Sequence, residues 1–115
     1  MKIQPKGPEA ARLRQRKFQL LRTLEIPAEA LPGSLSVTRR RCGKPGCHCA
    51  RGESHPSWSL TFMVGGQKRV EHIPADWVES VRQRVELGRQ VKDALAEILA
   101  ANAQLLALER RQRRP

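Results

Sequence analysis

Three cysteines and a histidine fall in one short stretch, in the order Cys42, Cys47, Cys49 and His55. Three thiolates and an imidazole are the donor set that zinc prefers, and four protein ligands close a tetrahedral structural site. Gly43 and Gly46 let the chain curl around an ion, and Pro45 stiffens the turn between the first two cysteines. Neighbouring Lys and Arg side chains offset the thiolate charge and favour the deprotonated, metal-binding form. Disulfide chemistry fits less well, because an odd cysteine is left over. A redox pair of Cys47 and Cys49 would need a thioredoxin-like βαβ setting, which the flanking sequence lacks. The expected cofactor is therefore Zn2+, held by Cys42, Cys47, Cys49 and His55. For the fourth position His48 and His72 remain alternatives. His48 sits between two ligands and is expected to point away from an ion gripped by both neighbours, while His72 lies in a later strand.

The elements that must position this site can be read from hydrophobic period. Residues 1–8 read as a flexible basic arm. Residues 9–25 read as a helix with Leu13, Leu20, Leu21 and Leu24 in its stripe and Phe18 beside them, ending before Ile26-Pro27. Ser34 to Arg39 alternates like a strand with Leu35 and Val37 inward. Residues 39–56 form the metal loop, and 57–73 a hairpin. In the hairpin Trp58, Leu60, Phe62 and Val64 share one face, and Gly65-Gly66 supplies the positive φ of a tight turn. Residues 74–109 read as one long helix, opened by Pro74 with Asp76 and Glu79 at its positive end. Its stripe begins with Trp77, Val81 and Val85. It then continues at heptad spacing through Gly88, Val91, Leu95, Ile98, Asn102 and Leu105. Residues 110–115 form a basic tail. The expected fold is α+β, a single domain over 9–109. It comprises an N-terminal helix, a small three-stranded antiparallel sheet with a zinc-bound loop, and the long C-terminal helix. A helix of this length, about 55 Å at about 1.5 Å per residue, exceeds what one small sheet can cover. Its distal half must pack on the first helix or on a second copy. The second is favoured, with Val91, Leu95, Ile98, Asn102 and Leu105 as the oligomer interface.

The chain of 115 residues carries 22 Lys/Arg against 11 Asp/Glu, a formal charge of +11. Residues 1–70 hold 14 of the bases and four of the acids, whereas residues 76–109 hold four bases and six acids. The field is thus concentrated on the N-terminal two thirds, which points to a polyanionic partner, nucleic acid first. The candidate contacts are Arg39, Arg40, Arg41, Lys44 and Arg51 around the cysteines, Lys68 and Arg69 on the hairpin, and Arg14 and Lys17 on the first helix. All the loop and hairpin bases are expected on one side of the sheet. Only four aromatic residues are present, so backbone and shape contacts are expected ahead of base stacking. Trp58, alternating with Leu60 and Phe62, reads as core. No run is long and apolar enough to span a membrane, and no secretory leader is evident, so the cytoplasm is expected.

The run Arg40-Arg41-Cys42-Gly43-Lys44-Pro45-Gly46-Cys47-His48-Cys49, followed by His55-Pro56, resembles an uncharacterised family of small prokaryotic domains. So do the strand with Trp58 and Leu60, the Ile73-Pro74-Ala75 corner and the long helix. Members share a Cys-Gly-Lys-x-x-Cys-x-Cys core with a following His. The resemblance covers roughly residues 35 to 108 and implies the same zinc ligands. It also points to DNA ahead of RNA, through the association of such small proteins with mobile elements. Relatives commonly carry tyrosines in the strand after His55, which this chain lacks. No Ser-His-Asp set, phosphate loop or paired carboxylates are visible, so no enzyme is expected. Glu53 would assist a metal-bound water only if the ion had three protein ligands. The alternative function is an assembly factor whose long helix dimerises or docks on a larger protein.

Overall fold

A computed structural model describes residues 1–40 and 55–113. The element order is α1 (Pro8–Thr23), β1 (Ser34–Arg40), β2 (His55–Val64), β3 (Gln67–Ile73), a short 3-10 turn (Ala75–Trp77) and α2 (Val78–Gln112). This is the α+β arrangement that the periodicity predicts. The chain divides into two compact units.

Residues 27–88 form the sheet unit. The strands are ordered β1-β2-β3, and both pairings are antiparallel. Gly65 and Gly66 have φ of 57° and 80° and close the β2–β3 turn as the two central residues of a tight hairpin. Leu60, Ile73, Val78 and Val81 are buried together, with Leu35, Trp58, Phe62 and Val85 packed around them. One face of the sheet is thus covered by the first turns of α2. Trp77 departs from expectation: it is 58% exposed, and Val78 takes the core position instead. The 3-10 turn after Pro74 has a different residue period from an α-helix, so the apolar stripe is rephased before α2 begins. The connector before β1 is fastened to α2. The Leu31 N–H donates to the Arg84 carbonyl at 3.0 Å, and Glu29 pairs with Arg84 at 3.3 Å. A Cβ on Gly88 would overlap the Leu31 carbonyl, so this glycine is the contact point of two backbones.

Residues 1–26 and 89–115 form the second unit. α1 starts at Pro8, where proline's missing N–H costs nothing, and its last turn closes on a bond from Leu24 N–H to the Leu20 carbonyl at 2.8 Å. It lies antiparallel to the distal part of α2, because Lys6 meets Gln112 while Arg16 meets Glu97. The inward positions of α1 are Ala10, Leu13, Lys17 and Leu20, continued by its C-cap Leu24, and those of α2 are Val91, Ala94, Ile98, Ala101, Leu105 and Leu108. Both sets alternate three and four residues, the spacing of a paired helical seam. The seam therefore has the predicted period with a shifted phase. Leu95 and Asn102 stand outside it, and Ala94 and Ala101 replace them, since alanine permits the close approach of α1. Ile98 and Leu105, expected at an interface between chains, are buried inside this one. Residues near the N-terminus are also tied down. Gln112 accepts from the Lys6 N–H at 2.8 Å and donates to its carbonyl at 2.6 Å, and Pro5 is fully buried.

Arg16 and Glu97 form a two-bond ion pair on the seam's edge, with the shorter contact at 2.8 Å. The hydrogen bond from Arg16, with its charge, holds the Glu97 carboxyl below the usual glutamate range. A carboxyl depressed in the folded state stabilises at pH above its unfolded value and loses that contribution as pH falls through the lowered one. Both side chains are about half exposed, so the effect is small and screened by salt. The difference in melting temperature between the parent and Glu97→Gln should therefore be largest at neutral pH and low salt. It should close in acid and in 1 M salt, and a difference unchanged across those conditions would remove the pair from the account.

Candidate nucleic-acid interface and metal site

Arg40 and His55 are register partners at the last residue of β1 and the first of β2. Directly opposed residues of an antiparallel pair have Cα atoms about 5 Å apart. The chain thus leaves the sheet at Arg40 and re-enters it beside that point at His55. Between them lie residues 41–54, which include Cys42, Cys47 and Cys49 of the expected metal set and Arg41, Lys44 and Arg51 of the expected nucleic-acid set. His48 and Glu53 lie there too. All of these are outside the described residues. Among the described residues, no group of three or more His, Cys, Asp or Glu is placed to hold a metal. His55 itself is half-buried and belongs to β2, because the strand begins two residues earlier than the alternation predicts. His72 is opposite Ser59 on the neighbouring strand. It therefore stands four strand positions from the level of His55, roughly 13 Å along the sheet.

The register also fixes the basic residues. Arg39 pairs with Pro56, at the end of the sheet where His55 lies. Lys68 pairs with Met63 and Arg69 with Phe62, at the Gly65-Gly66 end. Arg39 and the hairpin bases thus do not share one end of the sheet as expected, while Arg41, Lys44 and Arg51 lie outside the described residues. Successive hairpins reverse the chain at opposite ends of a sheet, so the two sets are separated by roughly 20 Å of β2. Arg39 and Arg69 share the parity of the covered face and are exposed at its two ends, whereas Lys68 has the parity of the open face.

The alternation that turns Trp58 and Leu60 inward puts Ser57, Ser59, Thr61 and Met63 on the open face. This face presents Ser34, Ser36 and Thr38 on β1, Ser57, Ser59 and Thr61 on β2, and His72 on β3. The Ser36 and Thr38 hydroxyls donate to the Ser59 and Ser57 carbonyls at 3.5 and 3.4 Å, within the sheet. Each hydroxyl also keeps acceptor capacity toward solvent. Val70, Met63 and Lys68 share this face toward the Gly65-Gly66 end, the first two 56 and 59% exposed, so a row of hydroxyls runs beside two exposed apolar side chains and one cation. Trp58 is not available there. It packs on the core, and the Arg82 guanidinium covers its ring at 5.4 Å.

Residues 9–83 match the profile of a domain of unknown function, DUF6788. The chain belongs to this family. Neither a curated protein nor a solved structure matches it. The DUF6788 match includes α1, all three strands, the cysteine-bearing segment and the first residues of α2. It stops at Gln83, before most of α2. Within the DUF6788 part, Arg14 and Lys17 carry internal contacts in addition to charge. Arg14 donates to the Pro5 carbonyl at 2.8 Å, and the Lys17 ammonium donates to the Asn102 side-chain oxygen at 3.0 Å. Arg12, Arg16 and Arg22 are the exposed cations of α1, with Arg16 paired to Glu97. No helix among the described residues is long and apolar enough to cross a membrane.

Proposed function

We propose that this DUF6788 protein is a small basic zinc-binding module that contacts nucleic acid, DNA ahead of RNA, through backbone and shape. The observation that carries the reading is the sheet head. Its open face carries a row of hydroxyls with Lys68 at one end, Arg39 and Arg69 are exposed at the two ends of the sheet with the parity of the other face, and the paired residues Arg40 and His55 flank the segment with three cysteines and three further cations. Hydroxyls and cations are the groups that contact phosphate and sugar oxygens. A span of roughly 20 Å between the two basic ends matches roughly six phosphates along one strand. In this reading Cys42, Cys47, Cys49 and His55 hold zinc, which fixes the spacing of Arg41, Lys44 and Arg51 without taking part in a reaction. A second reading, docking on another protein, is favoured by an exposed apolar face on the helical unit.

The test is the affinity for a labelled duplex DNA and its RNA counterpart as salt is raised. Affinity should fall linearly on logarithmic axes, and Lys68→Ala should lower the slope by about one without changing sequence preference. Binding that is absent at physiological salt, or indifferent to salt, would sink the proposal.

A further inference from the structure

The helical unit leaves one flank of its seam uncovered. Phe18, Leu21, Leu95, Leu99 and Leu106 are 49, 49, 48, 58 and 43% exposed. Their helical phase places them together. In an antiparallel pair each flank is lined by corresponding positions of both helices. Arg16 and Glu97 mark one flank, while Leu21, Leu95 and Asn102 fall on the other. The pairings of Lys6 with Gln112, Lys17 with Asn102 and Arg16 with Glu97 bring Leu21 within a helical turn of Leu95, and Phe18 within a turn of Leu99. Ala96 and Ala103 lie between the leucines and leave the backbone of α2 open to close approach. From Leu95 to Leu106 the strip runs about 16 Å, three helical turns. Beyond its centre it continues into a hollow of about 610 Å3, lined by Met1, Ala103, Leu106 and Ala107 and rimmed by Arg110 and Arg111 and by the Glu109–Arg113 ion pair.

We infer that this flank receives an acidic amphipathic helix of another protein, which completes a three-helix bundle with α1 and α2. The apolar strip supplies a helix-in-groove surface, read by leucine-like side chains at successive turns of the ligand. Charge selects the occupant. Lys17 reaches into the strip, where its ammonium holds Asn102 and lies 4.9 Å from the Phe18 ring. Arg22, Lys92 and Arg110 stand along its edges. Of the acids at its edge, Glu25 and Glu109, the second is held by Arg113 at 2.7 Å. Residues 1–26 and 89–113 together hold 12 Lys/Arg against five acids, so a second copy would bring two cationic rims together. A ligand with carboxylates beside its apolar stripe removes that repulsion and pairs with the rim. The inference uses a different surface from the sheet head and does not depend on nucleic-acid contact.

The full chain is titrated into a labelled 21-residue peptide with leucine at heptad a and d positions and glutamate at most others. A second peptide with lysine for each glutamate is the control. The acidic peptide should bind saturably and the basic one at least tenfold more weakly. Leu99→Asp, at a mostly exposed position, should melt like the parent, lose at least tenfold in peptide affinity and keep its affinity for duplex DNA. Equal binding of both peptides, no saturable binding of the acidic one, or an unaffected Leu99→Asp would overturn the inference. A free protein that sediments as a dimer and is dissociated by Leu99→Asp would assign the flank to a second copy instead. Binding to phosphatidylglycerol vesicles or to DNA that Leu99→Asp abolishes would assign it to those ligands.

Discussion

Purified protein is expected to hold one zinc ion per chain, and to lose it together with the fold of its sheet unit when His55 is replaced by alanine. The reason is the small size of what otherwise holds that unit. Its buried cluster consists of Leu60, Ile73, Val78 and Val81, and a core so limited supplies only a few kcal/mol. A structural zinc site contributes apparent binding free energy on the order of 10 kcal/mol, and that energy is available only to the folded chain. Cys47→Ser should act like His55→Ala. Chelation by EDTA should lower the melting temperature of the parent by well over 10 °C. His72→Ala should retain the metal, because the β2–β3 register places His72 about four residues away from His55. Zinc content by atomic emission, read beside thermal unfolding, checks all of these. A metal-free protein whose melt is indifferent to EDTA would remove zinc from the account. Metal that survives His55→Ala but not His72→Ala would exchange the fourth ligand.

Gly88→Ala is expected to destabilise the protein by about 2 kcal/mol, against the usual sign of a glycine-to-alanine change within a helix. Propensity alone favours alanine by about 1 kcal/mol. Here the new Cβ would overlap the backbone carbonyl of Leu31, which no side-chain rotation can relieve. Forced overpacking of this kind costs about 1–3 kcal/mol. Retreat of the connector would also break the bond from Leu31 N–H to the Arg84 carbonyl. Gly33→Ala should behave similarly, since its φ of 86° disfavours any side chain and a Cβ there would meet the Thr61 carbonyl. Denaturant titration gives the free-energy difference directly. An unchanged or raised midpoint for Gly88→Ala would mean that the connector is free to move aside.

These cases mark where the sequence is readable. Strict alternation from Ser57 to Val64 identifies β2 and its inner face, because a pleated strand admits only one assignment of Trp58, Leu60 and Phe62 once one face is covered. Gly65-Gly66 identifies its turn for the same steric reason. The seam of α2 was harder. Leu95, Leu99 and Leu106 have the side chains of core residues, yet Ala94 and Ala101 face α1. Helix pairing rewards close approach as well as apolar area, and a pattern that weights only area selects the wrong phase. Gly88 resembled a seam residue for a related reason: its spacing matched, while its actual partner is a backbone 57 residues away. Composition shows that Arg39, Lys68 and Arg69 are cations of the sheet unit but not where the register puts them. Arg39 and Lys68 are both near hairpin-like reversals, but those reversals lie at opposite ends of β2.

The opposition of Arg40 and His55 makes the length of the intervening segment nearly independent of the sheet. A stretch that begins and ends at adjacent points can gain or lose residues without shifting either strand. The entropic cost of closing it grows only by about 0.6 kcal/mol for each doubling of length. A segment shorter or longer than residues 41–54 would meet the same two strand ends. The sheet unit thus fixes where the segment begins and ends, whatever its length.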